Sequence, residues 1–259
     1  MLRTSGLALL LALTVAPTAS AQSAMQGLDM TSADMTEAEM TREDVVAALS
    51  AGPGADFTRK RLNGLDLSGL DFSGAILRAA RMNGVSLAGA RLDGAVLDQA
   101  WMLEADLTGA SLRNASLFQT QLMRATMRDA DLTGARAPAD FTRADLTGAR
   151  FRDADLSADM KNQSMGLMRG VLTKARLDGA DFEGANLARV VFDFARLEEA
   201  RLAGANLMGA SLAGARLTGA DVTGANFNEA DLASARIGDL VGAEASNLER
   251  ARNLGSAIK

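Results

Sequence analysis

A five-residue repeat constrains the fold of this chain more than any other feature of its sequence. Between residues 171 and 237 a large apolar residue recurs at every fifth position, usually with Ala two positions before it and often with Gly two positions after it. On an α-helix, with 3.6 residues per turn, a period of five spreads these residues over every face. An alternating strand has an apolar period of two, so it does not match either. The repeat therefore indicates neither an amphipathic helix nor an ordinary half-buried strand.

Each pentad divides into one short side and one corner. The Ala and the large apolar residue lie two positions apart, so a short extended segment points both side chains in the same direction. The other three residues are polar or Gly, and they suit a turn. One such unit cannot bury its apolar side alone, so successive units are expected to stack on one another.

This repeat resembles the motif of the pentapeptide-repeat family, in which Ala at i−2 and Asp or Asn at i−1 precede Leu or Phe at the centre, i. Residues 180–184 (ADFEG) and 205–209 (ANLMG) match the motif closely. The resemblance extends over roughly residues 62–237, and it implies a right-handed quadrilateral β-helix with four pentads in each coil. The expected fold class is therefore an all-β solenoid, and the repeat centres in the sequence amount to about eight coils. The resemblance implies almost nothing about activity.

The repeat frame is interrupted once, by an irregular segment at residues 157–170. Before it, one residue is missing near Pro138. Forty residues separate the centres Leu132 and Leu172, which equals two full coils, so the deletion and the insertion are expected to cancel. We therefore predict one continuous β-helix over residues 57–240 rather than two domains.

The first 21 residues are predicted to be a signal peptide. Arg3 supplies the positive charge, residues 7–15 form a short apolar region, and residues 19–21 (ASA) have the small side chains of a cleavage site. The apolar run is too short to span a bilayer, and no second stretch is long enough, so no integral membrane segment is expected after signal removal. The chain contains no Cys, which permits an oxidising compartment without disulfides. The expected location is therefore periplasmic or secreted.

Residues 22–40 are predicted to be a mobile acidic linker that contains several Met residues. Four of these recur at five-residue intervals, namely Met25, Met30, Met35 and Met40. Thioether sulfur selects Cu(I), so the spacing raises the alternative of a copper site. The spacing fits no single helix face and no His or Cys assists, and a linker is therefore the favoured interpretation.

Caps are predicted at both ends of the β-helix. Residues 41–52 have the pattern of a short helix with Thr41 as its N-cap, which is expected to cover the exposed backbone of the first coil. Residues 241–259 are expected to form a C-terminal cap. A helix over residues 242–254 is favoured there over two degenerate pentads.

Residues twenty positions apart occupy equivalent places in successive coils, so the outward positions form columns. One column consists of Asn residues, whose side chains are expected to pass hydrogen bonds along the rod: Asn186, Asn206 and Asn226. A second column consists of Arg residues: Arg176, Arg196, Arg216 and Arg236. These Arg side chains form either a solvated face, neutralised by Asp178, Glu198 and Glu199, or a groove for an anion, a phosphate or a carboxylate-bearing partner.

Large apolar residues at outward positions form a second candidate site. Trp101, Leu103 and Met123 are expected to point outward on one face, with Phe118 near a corner. Exposed apolar clusters often mark a contact site, here for an unidentified protein partner or for a second copy of the chain in a homodimer. The alternative is that the N-terminal segment folds back over them.

The residue types argue against catalysis. The chain contains no His and no Cys, so the common nucleophile–base pairs and most metal sites are absent, and no cofactor is expected. The Asp and Glu residues occupy outward repeat positions, where solvated carboxylates are expected. A net charge of −5 also argues against nonspecific binding of nucleic acid. We therefore expect an exported, non-enzymatic structural or protein-interaction module.

The alternative function comes from the family resemblance, since some pentapeptide-repeat proteins mimic DNA and bind DNA gyrase. Those proteins act in the cytoplasm, and mimicry requires an unbroken acidic strip. Two columns of this chain are instead mixed in charge, one with Asp66, Ser86, Asp106 and Thr126 and the other with Asp71, Arg91, Ser111 and Asp131.

Overall fold

The computed structural model describes residues 29–160 and 168–259, and its dominant feature is a four-sided coil of pentads. The residue at i−1 of each pentad pairs in parallel with its equivalent one coil later, as Ser86 pairs with Asp106. In the described residues these contacts are single bridges rather than longer strands, because the chain turns a corner after every short side. The architecture is therefore the predicted quadrilateral β-helix.

Hydrogen bonds between coils satisfy the backbone of each pentad. In the pentad centred on Leu87, the Leu87 N–H donates to the Asp106 carbonyl at 2.6 Å and the Gly89 N–H to the Thr108 carbonyl at 2.9 Å. The Ala90 N–H donates back to the Leu87 carbonyl at 3.0 Å and closes the corner. Because these N–H and carbonyl groups pair between successive coils, the backbone of each short side can be buried without unsatisfied polar groups.

The corner explains the Gly at i+2. Gly89 has a φ of 64°, in the left-handed region that a residue without a Cβ adopts at no steric cost. Several pentads hold another residue in the same conformation, and Phe194, with a φ of 59°, is the bulkiest of these.

Four columns of bridged i−1 residues define four faces of the rod. Faces 1, 2, 3 and 4 begin at Asp56, Arg61, Asp66 and Asp71, respectively. The bridges build nine coils from Asp56 to Val241 and a partial tenth. The count exceeds the expected eight partly because Phe57 and Ala137, which are 1% and 0% exposed, also serve as centres.

The core lies along the rod axis. The Ala residues at i−2 and the large residues at i are almost completely buried, for example Ala180 and Phe182 at 0% exposure each. Each fully buried Leu or Phe contributes about 1.5–3 kcal/mol to the free energy of unfolding. Stacked pentads therefore form one continuous core without disulfides.

The prediction that the deletion and the insertion cancel is wrong. Leu132 belongs to face 4, since Asp131 pairs with Arg150, whereas Leu172 belongs to face 2, since Asp140 pairs with Val171. The insertion leaves the coil after Leu156 and returns at Val171 without contributing a side. Face 2 therefore follows face 1 as in the other coils, but equivalent residues across the insertion are no longer twenty positions apart. Residues 161–167 of this segment lie outside the described residues.

Residues 29–40 pack against the rod, which corrects the prediction of a mobile linker for this part of the chain. They contain a one-turn helix, α1 (Ala33–Thr36), and Ala38 forms an antiparallel bridge with Leu62. Met35 is 6% exposed, and Met40 packs against the core. The predicted signal peptide, residues 22–28 of the linker and Met25 lie outside the described residues.

Helix α2 (Arg42–Ser50) covers the first coil. The Thr41 hydroxyl accepts a hydrogen bond from the Asp44 N–H, and the Asp44 side chain accepts one from the Thr41 N–H, which completes a capping box. Val45 is fully buried in the core. Within the described residues, no helix is both long enough and apolar enough to cross a membrane.

The C-terminal segment is not the favoured α-helix. It contains three 3₁₀ helices, η1 (Ala243–Ala245), η2 (Leu248–Arg250) and η3 (Leu254–Ser256). Bridges from Asp231 to Arg252 and from Arg236 to Ile258 continue the coil. The segment therefore resembles the degenerate pentads of the alternative interpretation, and it closes the rod as an irregular last coil.

Candidate functional site

Face 2 carries more of the large apolar residues at outward repeat positions than any other face. Its i−1 column consists of Arg61, Arg81, Trp101, Gln121, Asp140, Val171, Val191, Ser211, Asp231 and Arg252. The predicted patch of Trp101, Leu103 and Met123 lies in its N-terminal half, and Phe194 lies at a corner of its C-terminal half. This face is the candidate interaction surface.

Residues 29–40, named the strap below, lie over the N-terminal half of face 2. The Asn83 side chain connects the strap to the predicted patch, because its amide donates to the Met35 carbonyl at 3.1 Å and its oxygen accepts from the Leu103 N–H at 3.1 Å. Leu103 is only 6% exposed, so it is a covered and not an exposed member of the predicted patch. Trp101 and Met123 are partly exposed.

Charge also attaches the strap to face 2. The Asp34 carboxylate lies 3.1 Å from the Arg61 guanidinium and 3.3 Å from that of Arg81. The Glu39 carboxylate lies 3.3 Å from Lys60 Nζ and 3.4 Å from Arg61 Nε. An acidic segment therefore neutralises a basic cluster beside Trp101, since Arg81 and Trp101 are bridged neighbours.

Phe118 is not part of this surface. It lies on face 1, and the Arg136 guanidinium carbon is 5.9 Å from the centre of its ring, within the range of a cation–π contact. The Phe118 side chain is only partly exposed. The structure thus separates Phe118 from the other three members of the predicted patch.

Phe194 is a surface residue that the sequence analysis missed. Its side chain is 60% exposed, more than any other large apolar residue described, and its ring lies over Gly214 of the next coil. Val171 and Val191 are partly exposed in the neighbouring column. The signal was available in the sequence, because Phe194 occupies the i+2 position, at which the other pentads have Gly or a small or polar residue.

The Arg column on face 3 is largely neutralised within the rod. Arg196 lies 3.0 Å from Asp178 and 3.4 Å from Glu198, and Arg216 lies 2.7 Å from Glu198. Arg176 lies 3.7 Å from Asp145, one coil earlier. These contacts match the interpretation of a solvated, paired face.

The other members of the column differ in their surroundings. Arg236, at the end of the column, is exposed and has no ion pair to another described residue. Glu199, which was expected to neutralise the column, has no ion pair within the described residues either. The column thus offers one unpaired guanidinium rather than a groove of four.

The Asn column on face 1 is confirmed and longer than predicted. The Asn206 amide donates to the Asn186 oxygen at 3.1 Å, and the Asn226 amide donates to the Asn206 oxygen at 3.1 Å. In the last coil the Asn247 amide donates a hydrogen bond to the Asn226 oxygen at 2.9 Å. At the other end of the ladder the Asn186 amide donates to the Asp155 carboxylate. This ladder has a structural role.

Face 4 holds a network of paired charges beside a shallow depression of about 360 Å³. Arg152 forms ion pairs with Asp181, at 2.7 Å, and with Glu183. Arg201 contacts the same two carboxylates, at 3.7 Å and 2.9 Å. These groups neutralise one another, and among the described residues no cluster of acidic side chains has the arrangement of a metal site.

Asp140, in the middle of face 2, is a buried carboxyl group. Its side chain accepts a hydrogen bond from the Thr142 N–H at 2.8 Å, and the residue is 6% exposed. Burial raises the pKa of Asp140, although the hydrogen bonds from Thr142 act in the opposite direction. The ionised form of this carboxyl is therefore disfavoured in the folded state.

Asp140→Asn is expected to stabilise the fold at neutral pH. The folded-state pKa of Asp140 is raised, so the folded chain binds more protons than the unfolded chain between the two pKa values, and stability falls as the pH rises through this window. Asn keeps an oxygen that can accept the Thr142 hydrogen bond but carries no charge. Urea unfolding at pH 4 and pH 7 should show a gain for the variant that is larger at pH 7. A gain that is larger at pH 4 would contradict the assignment.

Comparison with known proteins identifies the repeat. The family model described as pentapeptide repeats matches in eight copies, over residues 80–117, 102–136, 139–158, 171–207 and 205–238, together more than half of the chain. A search of curated proteins gave no match.

Two solved structures are similar to this chain, and the first is a pentapeptide repeat protein that agrees with the family assignment. HetL from the cyanobacterium Nostoc, a pentapeptide repeat protein involved in heterocyst differentiation regulation, is 28% identical, with 85% of this chain and 97% of that chain covered and a TM-score of 0.53. Trypsin-treated QnrB1, a plasmid-mediated fluoroquinolone resistance protein, is 24% identical, with 72% and 82% covered and a TM-score of 0.48. HetL is a right-handed β-helix, as the sequence resemblance implies. The chain belongs to the pentapeptide-repeat family.

Proposed function

We propose that this chain is an exported, non-enzymatic pentapeptide-repeat protein that acts by binding another protein through face 2. The observation that carries the proposal is the placement of Trp101 and Phe194 at outward positions of that one face, where most pentads have polar residues or Gly. Aromatic residues on a rigid surface are typical anchors of protein interfaces.

The distribution of charge supports a binding module rather than an enzyme. The rod axis is filled by side chains at or near 0% exposure, and carboxylates on faces 3 and 4 such as Glu198 and Asp181 are paired with Arg. Catalysis needs convergent groups with shifted pKa values in a pocket. The pKa of the Asp140 carboxyl is raised by burial, but its side chain accepts its hydrogen bond from the backbone of its own corner.

The same charges give no support to a DNA-mimicking, gyrase-binding function. In the described residues, the column of face 3 alternates Asp with Ser or Thr as far as Asp145 and then continues with four Arg residues. Face 4 alternates in sign, from Asp131 to Arg150, Asp181 and Arg201. No acidic strip therefore runs the length of either face.

Export is the other part of the proposal, and it rests on the sequence of residues 1–21, which has the charge, the apolar region and the small residues of a signal peptide. It implies a periplasmic or secreted location, with a mature chain that begins near Gln22.

The test combines fractionation with capture of partners from the exported compartment. Full-length protein should be recovered outside the cytoplasm with a mature N-terminus near Gln22. Wild type and the variants Phe194→Ala and Lys174→Ala should then be compared as baits, because Lys174 occupies the same column one coil earlier. A specific partner should bind Phe194→Ala at least about tenfold more weakly than wild type, and Lys174→Ala equally well. Cytoplasmic retention would overturn export, and equal capture by all three baits would overturn the role of face 2.

A further inference from the structure

We propose that the strap, residues 29–40, is a releasable cover, and that the surface beneath it binds an acidic peptide segment of a partner protein. This inference rests on the proposed function, because it assigns a partner chemistry and a means of regulation to the same face.

Three cations under the strap are paired with the strap alone. Lys60 contacts Glu39, Arg61 contacts both Asp34 and Glu39, and Arg81 contacts Asp34. In the described part of the chain, none of the three forms an ion pair with a carboxylate of the coils. Cations further along the rod do pair within the coils, as Arg124 does with Glu104 at 2.8 Å. When the strap leaves, three positive charges therefore lose their counter-ions.

Besides these ion pairs, the rod forms hydrogen bonds with the backbone of the strap. The Asn63 amide donates to the carbonyls of Asp34 and Glu37 at 3.2 Å and 3.0 Å. The Asn83 amide donates to the Met35 carbonyl at 3.1 Å, and the Glu39 N–H donates to the Arg61 carbonyl at 2.9 Å. Any peptide offers these carbonyls and N–H groups, so the surface can accept another acidic segment in the same manner.

The fit of the strap is incomplete, which makes displacement feasible. Arg61 Nε is buried and makes no hydrogen bond, since the Glu39 carboxylate 3.4 Å away provides only an ion pair, and a buried donor without a hydrogen bond is costly. Within the strap, Met35 is the only described apolar residue that is buried, and Met40 is partly buried against the core. The side chains in the ion pairs are 29–55% exposed, so salt weakens these contacts. A ligand that also bonds Arg61 Nε and contacts Trp101 would compete effectively.

The test loosens the strap in the full chain and supplies an acidic peptide in trans. The variant Asp34→Ala/Glu39→Ala removes the four ion pairs, and Glu37→Ala/Glu43→Ala removes the same charge from positions without an ion pair to the rod. The probe is a fluorescein-labelled peptide with the sequence of residues 29–41. The loosened variant should bind it at least about tenfold more tightly than wild type, whose own strap competes, and the control should match wild type.

Trp101, the only Trp in the chain, gives a second readout. In the loosened variant its emission should shift to the red and acrylamide should quench it faster, and the peptide should reverse both changes. Met35→Ser, which removes the apolar anchor and keeps the charges, should produce the same response. Agreement between Met35→Ser and the double variant excludes a folding defect that is specific to the double variant. The far-UV circular dichroism of both variants should equal that of wild type.

Three results would overturn the proposal. If neither loosened variant binds the peptide, the strap is a permanent part of the fold. If the charge-matched control binds as tightly as the loosened variant, net charge and not the site governs binding. If the loosened variant binds phosphatidylserine vesicles but not the peptide, the surface recognises anionic lipid. Each of these results leaves the capture experiment with Phe194→Ala unaffected, so the two proposals fail separately.

Discussion

Leu202→Asp is expected to unfold the coils around it and to cost more than about 4 kcal/mol, because it places an unpaired carboxylate on the rod axis. Leu202 is 0% exposed, and its N–H donates to the Asp221 carbonyl of the next coil at 2.7 Å. Each coil contacts mainly its neighbours, so the damage should remain local. Limited proteolysis should cut near residue 202, whereas Trp101, about five coils away, should keep its wild-type emission.

Leu202→Met is the matched control at the same site. It conserves the volume and the apolar character of the side chain, and it should cost less than about 1.5 kcal/mol in urea unfolding. If Asp and Met at position 202 give similar free energies of unfolding, Leu202 does not lie on the axis and the assignment of inward positions is wrong.

The repeat frame was predictable from the sequence because it depends on local residues. Within each pentad, one Ala and one large residue decide which side faces the axis, and the same choice recurs in every coil. The Asn ladder follows from the same frame, since the spacing of Asn186, Asn206 and Asn226 equals one coil. A periodic sequence thus predicts its own long-range contacts wherever the period is unbroken.

The frame fails at the insertion because a count of residues does not distinguish a side from a loop. The forty residues between Leu132 and Leu172 are consistent with two full coils, yet part of them leaves the coil after Leu156. Only the partners across the break, Asp140 with Val171, reveal which residues form sides.

The strap could not be predicted in detail for a different reason. Its acidic composition is typical of a linker, and the basic residues that bind it, Arg61 and Arg81, are one coil apart in the repeat. Their proximity exists only after the coils have stacked. The sequence raised the alternative that the N-terminal segment folds back over Trp101 but gave no means of choosing it.

Phe182→Ala is the other substitution expected to have a large effect. The Phe182 ring stacks on Phe151, with centres 4.8 Å apart and planes 9° from parallel, and meets Phe192 edge-on at 6.0 Å. All three residues are 0% exposed. Truncation leaves a cavity in a closely packed core and removes both ring contacts, so it should cost about 3–5 kcal/mol in urea unfolding.

Phe194→Ala is the matched control, because it removes the same atoms from a Phe that is 60% exposed. The difference between the two variants in the free energy of unfolding therefore reports the effect of burial and not of the residue type. It should change the free energy of unfolding by less than about 0.5 kcal/mol, as is usual for a surface site. A large loss at both positions would mean that Phe194 is covered by another part of the chain, and face 2 would then lack its exposed anchor. A large loss at Phe182 alone separates the residue that stabilises the rod from the one proposed to bind a partner.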